Sequence, residues 1–304
     1  MRQTVAALID ASTCGSAQIH THPGEGINVG GTAVHFALNQ MTVPNMPFGD
    51  FLSLARALGC MGIEARNDLG RPLFDGMEAA DAGQMIRDHG LRLIGLSQVY
   101  PFNSWSDEVA TETRVLIETA KDCGAETISL IPRNDGTQTG NGERHANLRI
   151  ALKAIRPMIE DAGLVALVEP LGFPRSSLRS KQELVETIEA LGAGSVFRIV
   201  HDTFHHALAG GGPLFPAQTG IVHISGVTDP ALGLDKMEDE HRVLVDEHDR
   251  LGNIAQIRAL LDAGYDGPIS YECFSPDVHA LSDPQKALRA SFDFISSQLA
   301  ARAA

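Results

Sequence analysis

The chain has 304 residues, 43% of them hydrophobic, enough to bury the core of one large α/β domain or two small ones. Its 24 basic residues are outnumbered by 38 acidic ones, and the formal charge of −14 disfavours attraction to nucleic acid or to an anionic membrane surface. No apolar run approaches the roughly 20 residues that a membrane helix needs. Cys14, Cys60, Cys123 and Cys273 are scattered without CxxC spacing, so a cytoplasmic protein with reduced thiols is expected.

Residues 1–33 lack the ordered basic, apolar and small-residue segments of a signal peptide, and they show neither helical nor strand periodicity. They read as a flexible N-terminal extension, and the Gly, Ser and Pro around His20 and His22 favour a mobile tail over a metal motif. From Val34 onward, strand and helix signals alternate. The strands are VHFALNQ, CMGIEAR, LRLIGLS, AETISLIP, LVALVEP, FRIVHD, GIVHIS and PISYEC. Between them lie helical patterns: one from about Phe48 to Leu58, SDEVATETRVLIETAKDCG with Asp107 and Glu108 at its start, and ANLRIALKAIRPMIEDAG ending at Gly163. Eight alternating units predict an α/β fold, a single (β/α)8 TIM barrel over residues 34–304, with a doubly wound open sheet as the other arrangement of the same units. No linker interrupts the alternation, so no second domain is needed.

Four of the later strands end alike. LVALVEP, FRIVHDTFHH, GIVHISG and GPISYECF each run through apolar residues into a side chain that binds metals: Glu169, Asp202, His223 and Glu272. Strands of a parallel α/β fold present their carboxyl ends on one face, where these residues can meet. Any one of them alone is more simply a hydrogen-bonded strand end. Together, three carboxylates and one imidazole suit one divalent ion, Mn, Mg or Co ahead of Zn, because burying the carboxylates without a cation costs several kcal/mol.

With these motifs placed, the chain resembles the xylose isomerase-like barrel family of sugar isomerases and epimerases. The resemblance runs from about Val34 to the C-terminus and is most specific at VEPLGFP, HDTFHHAL, VHISG, EDEHRV and SYECFSP. It implies Glu169, Asp202, His223 and Glu272 as ligands of one divalent metal. It also implies that His205 and Arg242 touch substrate oxygens near that metal. Without it, Arg242 reads as a surface ion pair among Glu238, Asp239 and Glu240. The chain departs from the family pattern after Arg242, where LVDEHDRLGNIAQI replaces a Pro-Gly-x-Gly loop. That change bears on substrate contacts, and it could carry Glu247, His248 or Asp249 into a neighbouring subunit's pocket.

The implied reaction is metal-assisted isomerisation of a ketose or cyclic keto-polyol through an enediolate, with Glu169 and Glu272 as acid and base. A ketose 3-epimerase, a dehydratase-type lyase and a non-catalytic sugar-binding barrel are alternatives on the same site, and a repair nuclease would call for a basic track that the composition lacks. Glu64 and Arg66 at the end of the second strand, and Asn39 at the end of the first, are candidates to line the mouth, with Glu64 as a substrate-binding residue. Phe102 and Trp105 are candidates for an apolar wall over the substrate. The AGGGP run at 209–213 has neither the Lys-Ser/Thr of a P-loop nor a basic neighbour, so it reads as a turn and the substrate as unphosphorylated. A homo-oligomer is left open.

Overall fold

The computed structural model describes residues 27–29 and 32–301. Most of the expected N-terminal extension, including His20 and His22, lies outside the described residues. Strand β1 (Ile27–Val29) pairs antiparallel with the start of β2 (Thr32–Asn39), Asn28 standing opposite Ala33. Then β2, β3 (Gly62–Arg66), β4 (Arg92–Val99), β5 (Thr127–Leu130), β6 (Val165–Val168), β7 (Phe197–Asp202), β8 (Thr219–Ile224) and β9 (Pro268–Tyr271) follow in order around the sheet. All pair parallel, and β9 returns to β2 with Phe36 opposite Ile269, which closes the barrel. All eight strands read from the sequence are present, and the open sheet is excluded.

The outer ring carries α1 (Phe48–Leu58), α2 (Ala79–Asp88), α3 (Asp107–Cys123), α4 (Asn141–Ala162), α5 (Lys181–Ala190), the short α6 (Thr203–Leu208), α7 (Asn253–Asp262), α8 (Pro276–His279) and α9 (Pro284–Ala300). Each long helix buries one stripe; in α1 it is Phe48, Phe51, Leu52, Ala55 and Leu58, the i, i+3, i+4, i+7 pattern of an amphipathic helix. Helix α3 starts where Ser106 accepts the Val109 N–H and Asp107 and Glu108 meet the positive end of the helix. Helix α4 ends at Gly163 in the left-handed conformation, as its sequence predicts, but begins at Asn141, five residues before the periodic pattern. Its first turn is mostly exposed and carries no apolar stripe to read.

Strand alternation sorts the core into layers. Outward residues such as Phe36, Leu38, Val168, Ile199, Val222 and Tyr271 join the main core under the helices. Inward Ala37, Ile94, Leu167, Val200 and Ile221 fill the barrel as a separate buried cluster. Two residues further along their strands, Leu167, Val200 and Ile221 give way to Glu169, Asp202 and His223. The barrel floor is therefore apolar and its mouth polar. Among the described residues no helix is long and apolar enough to cross a membrane.

Candidate metal centre at the mouth of the barrel

Register brings the four strand-end residues together. Asp202 pairs with His223 across β7 and β8, and Glu169 and Glu272 each extend their strand by one residue, the Glu169 N–H donating to the Leu130 carbonyl and the Glu272 N–H to the Ile224 carbonyl. One potential ligand atom from each of Glu169, Asp202, His223 and Glu272 lies within 4.8 Å of all the others, and all four residues are buried. The two-residue period of four separate strands carries them to one point.

The surroundings hold them unequally. Glu272 accepts from Arg66 Nη1 at 2.6 Å on one oxygen and from Arg242 Nη2 at 3.0 Å on the other, with His223 Nδ1 3.3 Å away. Burial would raise its pKa, but the charges of His223, Arg242 and Arg66 outweigh that and hold it well below the usual carboxylate range. Asp202 accepts from Arg242 Nη2 at 2.5 Å and caps α6 through the His205 N–H. Glu169 is freer. Its nearest basic groups are the imidazoles of His205 at 3.8 Å and His223 at 4.0 Å, and burial, with the nearby charges of Glu272 and Asp202, pushes its pKa up to about 8.

His223 is held from behind. Its Nε2 meets Glu64 Oε2 at 3.0 Å, while its Nδ1, facing Glu169 and Glu272, makes no hydrogen bond. Glu64, expected to touch substrate, is fully buried behind this ring and does not line the cavity. Gly95 makes room for it, since a Cβ there would sit 3.4 Å from Glu64 Oε2 and 3.2 Å from Thr127 Oγ1. Arg242 is 1% exposed, not a surface residue, and it ties Asp202, Glu272, Ser225 and Asp239 together between the rings of Phe204 and Phe274. His205 is buried beside Glu169, its pKa lowered chiefly by desolvation.

The donor set fits a divalent ion. Four buried carboxylates, those of Glu64, Glu169, Asp202 and Glu272, outnumber two buried guanidiniums, Arg66 and Arg242, so with the carboxylates ionised and His223 neutral, the states in which they ligate a metal, an excess of two negative charges would be balanced by a divalent ion. The unpartnered Nδ1 of His223 points among three carboxylates, while its other nitrogen is fixed by a fourth, the arrangement that orients a ligating imidazole.

Above the cluster lies a cavity of about 210 Å³, to which Arg66, Gln98, Asn134, His205 and Arg242 contribute polar groups. Its apolar side is Tyr100, Leu171, Phe173 and Phe274. The aromatic wall exists but differs from the sequence expectation. Phe102 is fully buried and Trp105 packs against the main core, so neither lines the cavity. Asn39 also lies below the cavity, with its Nδ2 3.4 Å from Glu272 Oε1. Asp249 is used locally, accepting from the N–H groups of Leu251 and Asn253, and Glu247 and His248 are exposed.

A family model described as xylose isomerase-like TIM barrel matches residues 52–298. Over 180 residues the chain is 25% identical to an inosose isomerase of Halalkalibacterium halodurans, which covers 58% of this chain and 62% of that protein. The chain therefore spans about six tenths of the length of the curated relative it matches. Among solved structures it resembles a xylose isomerase domain-containing protein of Salmonella typhimurium LT2, with 29% identity and a TM-score of 0.80 over 90% of this chain and 99% of the other. It shares the fold of an IolI protein crystallised with a zinc atom, with 19% identity and a TM-score of 0.78 over 88% of this chain and 99% of the other.

Proposed function

Since the chain belongs to the xylose isomerase-like TIM barrel family, we propose that it is a divalent-metal-dependent isomerase of a ketose or cyclic keto-polyol of the 2-keto-myo-inositol type. The substrate class follows the likeness to an inosose isomerase, and the metal follows the donor set and the zinc of a protein with the same fold. Glu169, Asp202, His223 and Glu272 would hold the ion. When bound, it supplies Lewis-acid stabilisation of the negative charge that develops as a proton leaves the carbon beside the carbonyl.

The observation that carries this reading is the inequality of the two glutamates. Glu272 is clamped by Arg66 and Arg242, whereas no guanidinium reaches Glu169, whose neighbours are the imidazoles of His205 and His223. Environments that drive two carboxyl groups apart in this way separate their tasks. Glu169 takes the proton from one carbon and returns it to the next on the same face, which moves the carbonyl. Two equally free glutamates on opposite faces would instead invert a carbon, so the asymmetry favours isomerisation over epimerisation. Glu272 anchors the site. His205, beside Glu169, donates to a substrate hydroxyl, and Arg242, buried and fully charged, faces the oxygen where negative charge accumulates. Tyr100, Phe173 and Phe274 cover the ring and limit water.

Incubation with 2-keto-myo-inositol, followed by NMR of the products with and without chelator, tests the reading. Chelator-sensitive migration of the carbonyl is expected. An epimer or a dehydrated product would move the activity to another branch of the family, and an unchanged substrate with metal present would exclude this substrate class.

A further inference from the structure

A second polar cluster lies on the outer side of the barrel wall. His201 alternates with the inward Val200 and Asp202 along β7, so its ring leaves the interior and enters the layer between sheet and helices. There Lys181, the first residue of α5, places Nζ 2.6 Å from His201 Nδ1 and 3.0 Å from His206 Nδ1 of α6. The Nε2 of His201 is 2.9 Å from Gln256 Oε1, and the amide nitrogen of Gln256 donates to the carbonyls of Thr203 and Leu251, which fixes its oxygen as the acceptor. The ring proton of His201 therefore sits on Nε2, and Nδ1 accepts from the lysine.

Lys181 is thus a donor to two uncharged rings at 8% exposure, and no carboxylate among the described residues forms an ion pair with it. Desolvation pulls its pKa down to about 7 even though the Asp202 charge acts the other way. A buried cation without a counter-charge is costly, and two neutral imidazoles satisfy its hydrogen bonds but not its charge.

Lys181 and His206 line a cavity of about 340 Å³ whose walls also carry Arg179, Ser180 and Gly211 and include no carboxylate, in a chain of formal charge −14. Arg179 donates from Nε to the Gly172 carbonyl and from Nη2 to the Leu208 carbonyl, while its Nη1 makes no hydrogen bond among the described residues. Gly210, Gly211 and Gly212 have φ of +92°, +78° and +115°, a turn that leaves this rim without side chains. In the sequence this glycine run has no basic neighbour. The fold supplies two.

We propose that this cavity is an oxyanion site, separate from the candidate metal centre, that takes inorganic phosphate or the phosphate or carboxylate of a small molecule through Lys181 and Arg179. His205 forms part of the wall of both cavities, so the two sites are neighbours with one residue between them. The proposal does not depend on the isomerase reading.

Calorimetric titration of the full chain with inorganic phosphate at constant ionic strength tests it. One saturable site per chain is expected, weakened at least tenfold by Lys181→Met and by Arg179→Gln and retained in Glu272→Gln, which alters the other centre. Citrate is expected to compete with phosphate for the same site, and the tighter of the two identifies whether phosphate or carboxylate is preferred. Absence of saturable phosphate binding in the wild type, or binding undiminished in Arg179→Gln and Lys181→Met, overturns the proposal. Circular dichroism of both variants establishes that they are folded, and should Lys181→Met fail to fold, the half-buried Arg179 carries the comparison alone.

Discussion

Glu64 is buried behind His223 and outside the lining of the cavity. Its carboxylate fixes His223 Nε2 at 3.0 Å and leaves Nδ1 facing the cluster, so in the proposed metal centre it would set the orientation and basicity of one donor. Glu64→Gln keeps the shape and loses the charge. It is expected to lower affinity for Mn²⁺ by about ten- to a hundredfold with the fold intact, read by metal titration; unaltered affinity would remove Glu64 from this role. Glu169, Asp202, His223 and Glu272 were legible in the sequence because each closes an apolar run at a position the strand period turns inward. Arg242 was legible only through family resemblance, since its acidic neighbours imitate a solvated ion pair and nothing local announces that Phe204 and Phe274 enclose it. Lys181 left no signal, because a lysine opening a polar helix is ordinary until the fold places His201 and His206 against it.

At the scale of elements, the strands were the readable part, each a short apolar run of branched residues buried on both faces. Strand β1 was not, since three residues of a hairpin arm are too few to show a period. The aromatic wall was misassigned for a related reason. The YPFNSW loop contains three aromatic residues, and which of them faces the cavity depends on how the loop turns; Tyr100 does, while Phe102 and Trp105 join the core. Helix packing makes its own demands. A Cβ at Gly83 of α2 would lie 2.2 Å from the carbonyl oxygen of Cys123 at the end of α3, so the two helices meet where only glycine fits. Gly83→Ala is expected to destabilise the protein, because overpacking costs about 1–3 kcal/mol and exceeds the gain of about 1 kcal/mol in helix propensity. A lowered denaturation midpoint in urea checks this, and an equal or higher midpoint would contradict it.

Across the whole molecule, the barrel separates tasks by depth. Leu167, Val200 and Ile221 form a dry floor, the carboxylates and His223 form the layer above, and the cavity residues, set largely on loops, close over them. The floor and the outer core give the ring of strands its rigidity, and that rigidity keeps four residues from four strands within 4.8 Å despite their mutual repulsion. With the carboxylates ionised and His223 neutral, two guanidiniums offset half of the buried negative charge, and one divalent ion would balance the remainder. Elemental analysis of the chain after loading with Mn²⁺ and removal of free ion tests this most directly. One equivalent per chain is expected, removed by chelator and reduced to less than about a tenth in His223→Ala and Asp202→Asn under the same conditions, each losing a ligand worth several kcal/mol. A wild-type chain that retains no ion, or variants that retain a full equivalent, would contradict it.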